Sequence, residues 1–156
     1  NMQFNIWDIL NLARNNQFKE QPNVLFLDEA HQFLNKSVVD NYFASSSLSA
    51  FDQIAKGCRK YGLFLCLATQ MPRDIPIGIL SQIGTFIIHR LINYNDKEAI
   101  KQACSSADAD TLSYLPVLGA GEAILSGVDF PMPLSVKINA PIVPSNSQTP
   151  VFRYML

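Results

Sequence analysis

Helix-type and strand-type apolar patterns alternate along this chain, which predicts an α/β fold with a mainly parallel sheet closed by a C-terminal β-hairpin. Two observations carry that expectation. Three short, almost wholly apolar runs, at residues 24–27, 63–68 and 85–88, have the pattern of strands covered on both faces. Between them lie segments whose apolar residues recur every three or four positions, the helical period.

The elements follow in order. Residues 4–18 read as a helix, because Ile6, Ile9, Leu10 and Ala13 form one stripe. Pro22 and Asn23 break it, and the first strand, 24–27, ends in Asp28-Glu29-Ala30-His31. Residues 35–49, with Ser45, Ser46 and Ser47 in a row, read as a loop leading to a helix cap. Leu48, Phe51, Ile54 and Cys58 continue as a helix to about Lys60, which Gly62 closes before the second strand. A two-proline loop at 70–76 precedes a short helix at 77–83 and the third strand. Asn95 with Glu98 three residues on reads as a capped helix start, running to about Ala103. A shorter helix is expected at 107–114. Gly119, Gly121, Gly127 and Pro131 then punctuate two strands, 122–125 and 134–138, and from Asn139 the chain reads as an extended Pro- and Ser-rich tail.

Composition bounds the function. With 156 residues, 48% hydrophobic and 16% charged, the chain can build one ordinary core and is no disordered tail. Its 12 Lys+Arg against 13 Asp+Glu exclude a strongly basic nucleic-acid arm, so phosphate binding would need a local patch. No apolar stretch approaches the roughly 18 residues of a spanning helix, and no signal peptide is visible. Cys58, Cys66 and Cys104 form no CxxC pair, which points to buried thiols in a reducing cytoplasm. Asn1 ahead of Met2 fits a piece of a longer protein.

Three features carry chemistry. In Val24-Leu25-Phe26-Leu27-Asp28-Glu29, two carboxylates emerge at the C-terminal end of a strand, where open α/β sheets bind ligands. Asp28 suits Mg²⁺, and Glu29 suits the water that attacks a γ-phosphate; a helix dipole alone would also favour such carboxylates. Arg59, with Lys60 beside it, ends a helix, where a cation suits the dipole or serves as an arginine finger. Thr69-Gln70 ends the next strand, where an amide can meet a γ-phosphate or simply cap the strand. Parallel neighbours joined by one helix bring Asp28-Glu29 and Thr69-Gln70 to the same rim. Arg90 ends the third strand as a phosphate sensor or a plain cation, and Lys36 and Arg73 sit in loops, where they read as solvated charges ahead of contacts to DNA phosphates. His31 completes a DEAH string and reads as a helix N-terminal residue near the site, while Trp7 and Phe18 pack the first helix.

The blocks VLFLDEAH, IAKGCRKYGLFLCLATQMPRDIP, ILSQIGTFIIHRL and LPVLGAGEAILSG, in that order, resemble the HerA family of hexameric DNA-translocating P-loop ATPases. The resemblance spans residues 24–141 and implies a partial RecA-like fold. Residues 1–140 would then be the C-terminal part of the ATPase domain and 141–156 its tail. By motif, Asp28 and Glu29 match the Walker B pair, Arg59 the arginine finger and Gln70 the polar sensor, while Met71 stands where the family often has Arg. Thr69 and Arg90 are the further candidate nucleotide contacts. The implied cofactors are ATP and Mg²⁺. The implied partners are five further copies in a hexamer, duplex DNA, and a NurA-type nuclease or a defence effector; no membrane is implied.

One family element is missing from these residues: no GxxxxGK(S/T) phosphate-binding loop occurs in the 156. That loop supplies the backbone N–H cradle and the lysine for the β/γ-phosphates. The chain by itself is therefore expected to be inactive. In the family the loop's strand lies between the second and third strands found here, so two apolar edges are expected to lie open. The rival readings are a non-catalytic oligomerisation or docking module and a VirB4-type secretion ATPase.

Overall fold

The computed structural model describes residues 5–35 and 42–143. Helix α1, Ile6–Arg14, is capped by the Asn5 side chain, which accepts the Trp7 N–H. Strand β1, Asn23–Leu27, pairs in parallel with β2, Leu63–Leu67, through α2, Tyr42–Gly57. A 3₁₀ turn, Cys58–Tyr61, joins α2 to β2, and Gly62 at φ +81° reverses the chain. A Cβ there would collide with the Phe18 carbonyl, so the turn that aims β2 requires glycine.

Beyond β2 come a 3₁₀ turn, Pro72–Asp74, the short helix α3, Ile77–Leu80, and β3, Thr85–Ile88. Helices α4, Tyr94–Ala103, and α5, Ala109–Tyr114, precede β4, Glu122–Gly127, and β5, Leu134–Lys137. Strands β3, β4 and β5 form an antiparallel sheet in that order. The α/β class and the closing hairpin hold. The parallel part is the β1–β2 pair, and β3 joins β4 rather than the parallel sheet.

Two apolar clusters hold the chain together. Leu10 and Ala13 of α1 meet Ala50, Ile54 and Cys58, with Leu63 completing the group. Phe51, on another side of α2, packs with Ile79, Leu80, Phe86, Ile88, Ile100, Leu115 and Ile124. Trp7 and Phe18 pack onto the first cluster, as expected.

Four local expectations are corrected. Ser45–Ser47 lie inside α2 rather than in a loop, and Ser46 Oγ accepts the Trp7 Nε1–H at 3.1 Å. The cap of α4 is Asn93, not Asn95; its side chain accepts the N–H groups of Asn95 and Asp96. Strands β1 and β2 are covered on one face only: Leu25, Leu27, Leu65 and Leu67 pack inward, whereas Val24 is 64% and Phe26 60% exposed. Arg73 is no solvated charge, since it is tied to Asp96. Lys36 and most of the tail lie outside the described residues.

Strands β2 and β3 face each other across a cleft of about 470 Å³, lined by Leu63–Leu67, Thr85, Ile87 and Arg59. Each is an edge strand of its own sheet on that side. The two open edges expected from the sequence are therefore present, and they border one opening.

Candidate nucleotide-site rim at the ends of β1 and β2

The register Leu27↔Leu67 brings the residues after β1 and β2 side by side. The ladder continues one step past the strands. Ala68 N–H donates to the Leu27 carbonyl at 2.9 Å, and Ala30 N–H donates to the Ala68 carbonyl at 2.8 Å. Between these two bonds Glu29 is forced into the left-handed region, at φ 47° and ψ 48°. A non-glycine residue there costs about 1–3 kcal/mol and persists only where its surroundings hold it. The kink turns the Glu29 side chain across to the β2 end.

There Gln70 Nε2 donates to Glu29 Oε1 at 2.7 Å. His31 Nδ1 stands 3.1 Å from Thr69 Oγ1 and 3.4 Å from Glu29 Oε2. Thr69 Oγ1 also accepts the Met71 N–H at 3.0 Å. Glu29 Oε2 is buried and has no hydrogen-bond partner. Asp28 is exposed, and its Oδ1 accepts the Glu29 N–H at 3.0 Å.

Of the residues singled out in the sequence, Asp28, Glu29, Thr69 and Gln70 are thus brought together. Arg59 is not: it is exposed, ahead of β2, at the opposite end of a strand about 16 Å long. Arg90 is exposed, two residues past β3, and is not joined to the cluster. For Mg²⁺, the donor chemistry at Asp28 fits, because a metal that takes few protein carboxylates needs one exposed oxygen and Oδ2 is uncommitted among the described contacts.

Two features escape a reading of the sequence. One is the pair of contacts His31 makes: the sequence placed it near the site at a helix start, but nothing in it signalled the approach to Thr69 and Glu29. The other is the anchor of the loop after Gln70. Arg73 donates to Asp96 from its backbone N–H (3.2 Å) and its Nη1 (2.8 Å), and Asp96 is 3% exposed. That contact ties the Pro72–Asp74 turn to the first turn of α4.

The fold is that of P-loop NTPases. It overlies the genome-packaging NTPase B204 of Sulfolobus turreted icosahedral virus 2 in complex with ATP-gammaS, with TM-score 0.65 and 18% identity, over 85% of this chain and 60% of that one. Residues 14–152 match the family described as Helicase HerA-like C-terminal, and the chain belongs to that family. It is 36% identical to the probable helicase MJECL08 of Methanocaldococcus jannaschii over 76% of its own length. It is 33% identical to the DNA double-strand break repair helicase HerA of Saccharolobus solfataricus over the same share. The chain spans 22% and 23% of those two relatives.

Proposed function

We propose that these residues are the Walker B and sensor part of a HerA-type DNA translocase, which couples ATP hydrolysis at the subunit interfaces of a homo-hexamer to movement on duplex DNA. The observation that carries this reading is the Glu29–Gln70 hydrogen bond across the β1–β2 rim. It joins the carboxylate suited to activate water to the amide suited to sense the γ-phosphate. Family membership and the helicase relatives support it further.

The roles follow from position. Glu29 would take the proton of the attacking water. Gln70 would exchange its bond to Glu29 for one to the γ-phosphate or that water, so that nucleotide frees the carboxylate. Thr69 would offer its hydroxyl at the same rim. Asp28 would hold Mg²⁺, which when bound neutralises charge on the β- and γ-phosphate oxygens. Arg59, a strand's length away, would act only on the ATP of an adjacent subunit. Arg90 would be a phosphate contact from the β3 side. The phosphate-binding loop would come from residues beyond these 156, its strand entering between β2 and β3; the open cleft with two unpaired edges supports that route. A NurA-type nuclease or a defence effector is the partner the family resemblance suggests, and the three cysteines without a CxxC pair favour a cytoplasmic location.

The test is ATP turnover, with and without duplex DNA, by the full-length protein that carries these residues. Glu29→Gln is expected to lower kcat by about 10²–10⁴. Arg59→Ala is expected to lower it by about 10³ or more, with activity restored when the variant is mixed with Glu29→Gln subunits. That rescue pairs an intact Glu29 on one subunit with an intact Arg59 on its neighbour. No turnover in the unmutated protein would return the chain to a docking module.

A further inference from the structure

We infer that His31 is a positioning residue that carries its proton on Nδ1 and holds the Glu29 carboxylate and the Thr69 hydroxyl in register across the β1–β2 rim. This rests on the catalytic reading of Glu29 given above. Three observations lead to it. Glu29 Oε2 is buried without a hydrogen-bond partner, its twin Oε1 being taken by Gln70. His31 Nδ1 is 3.4 Å from that orphaned oxygen and 3.1 Å from Thr69 Oγ1. Thr69 Oγ1 already accepts the Met71 N–H.

The tautomer follows from counting hydrogens. A bare Nδ1 could accept the Thr69 O–H, but it would turn its lone pair toward the buried Oε2 lone pairs 3.4 Å away, a repulsive arrangement in a half-buried place. A protonated Nδ1 directs its one hydrogen to Thr69 Oγ1 at 3.1 Å and sets the positive N–H edge of the ring 3.4 Å from Oε2, an electrostatic contact rather than a hydrogen bond. With Met71 N–H and Nδ1–H both directed at it, the Thr69 oxygen has its two lone pairs occupied. Its own O–H is then free to donate outward, to an anionic ligand oxygen at the rim.

The imidazole is well placed to hold this pattern. It sits on the 3₁₀ turn Ala30–Gln32, whose first residue is fully buried and bonded to Ala68. The ring is therefore fixed to both strands, and the two groups it touches belong one to each.

Two measurements test the inference. Long-range ¹H–¹⁵N correlation of the imidazoles in the 156-residue chain, at mildly alkaline pH, is expected to show the His31 proton on Nδ1; a bare Nδ1 overturns it. In the full-length protein, His31→Ala is expected to lower kcat by about tenfold with KM for ATP unchanged. His31→Asn, whose amide nitrogen falls near Nδ1, is expected to recover most of that loss, and His31→Gln is not. An unchanged kcat in His31→Ala, or equal recovery by Asn and Gln, overturns the inference. An inactive unmutated protein removes the catalytic reading instead, and the tautomer measurement still decides the role of His31 in the cluster.

Discussion

Single residues at the ends of β1 and β2 combine strain with hydrogen bonding. Glu29 adopts a left-handed backbone, and the bonds on either side of it hold the kink. A comparable constraint sits at Gly62, where φ is +81° and the Phe18 carbonyl leaves no room for a side chain. Gly62→Ala is expected to destabilise the chain by about 1–3 kcal/mol, read from denaturant unfolding. The cysteines give a second prediction at this scale. Burial pushes the Cys58 thiol above its ordinary value, against the opposing pull of Arg14 and Lys60. A raised value keeps the neutral thiol favoured until the pH climbs past the usual thiol range. Cys66 lies on the open side of β2, whereas Cys58 and Cys104 are buried. Under native conditions at mildly alkaline pH a thiol reagent is therefore expected to label Cys66 first; equal rates at all three would contradict the packing.

Between elements, the contact with most consequence is Arg73–Asp96, which fastens the loop after Gln70 to α4. Arg73 is one-third exposed, so part of the pair's strength is screened. Asp96→Ala is expected to cost about 1–3 kcal/mol, checked by denaturant melts, because two donors of Arg73 lose their acceptor. In the full-length protein it should also weaken turnover by loosening the segment that carries Gln70. The cap of α5 behaves differently. Hydrogen bonding from the Thr111 side chain, and then from the Thr111 N–H at 2.8 Å, holds the Asp108 carboxyl below the usual aspartate range. With the folded value lowered, the stabilisation is present above the ordinary aspartate value and fades as the pH falls through the lowered one. Asp108→Asn is expected to remove that pH dependence, seen as a flatter acid-side melting profile.

For the whole molecule, the defining feature is a sheet in two parts with one face bare. Val24, Phe26 and Phe64 line up across the β1–β2 register, Val24 opposite Phe64, and Ile87 is exposed beside the cleft. Edge strands with apolar faces are templates for association. The chain by itself is expected to self-associate with rising concentration in sedimentation experiments. Phe26→Lys should reduce this without lowering the melting temperature, since the side chain is already 60% exposed. The same architecture leaves the rim of Glu29 and Gln70 without a phosphate cradle of its own, so no ATP turnover is expected from these 156 residues alone.

Periodicity determined the α/β class, the strand runs and most helix positions, because strand and helix periods are local properties; the candidate residues Asp28, Glu29, Thr69 and Gln70 came from their place at strand ends and from the resemblance to the HerA family. Local signals failed where a distant partner decided the outcome. The serines of α2 are helical because the segment packs on α1 and Ser46 meets Trp7. The cap of α4 is Asn93 because the helix begins at Tyr94, and Asp96, its third residue, is drawn to Arg73. An apolar run such as Val24–Leu27 shows that a strand has two apolar faces, not that both are covered within the same chain. Only the tertiary structure separated Arg59 from the rim, brought His31 between two strand ends, and left β2 and β3 facing each other across an opening. Each of these depends on contacts between residues far apart in sequence, which no window of neighbouring residues contains.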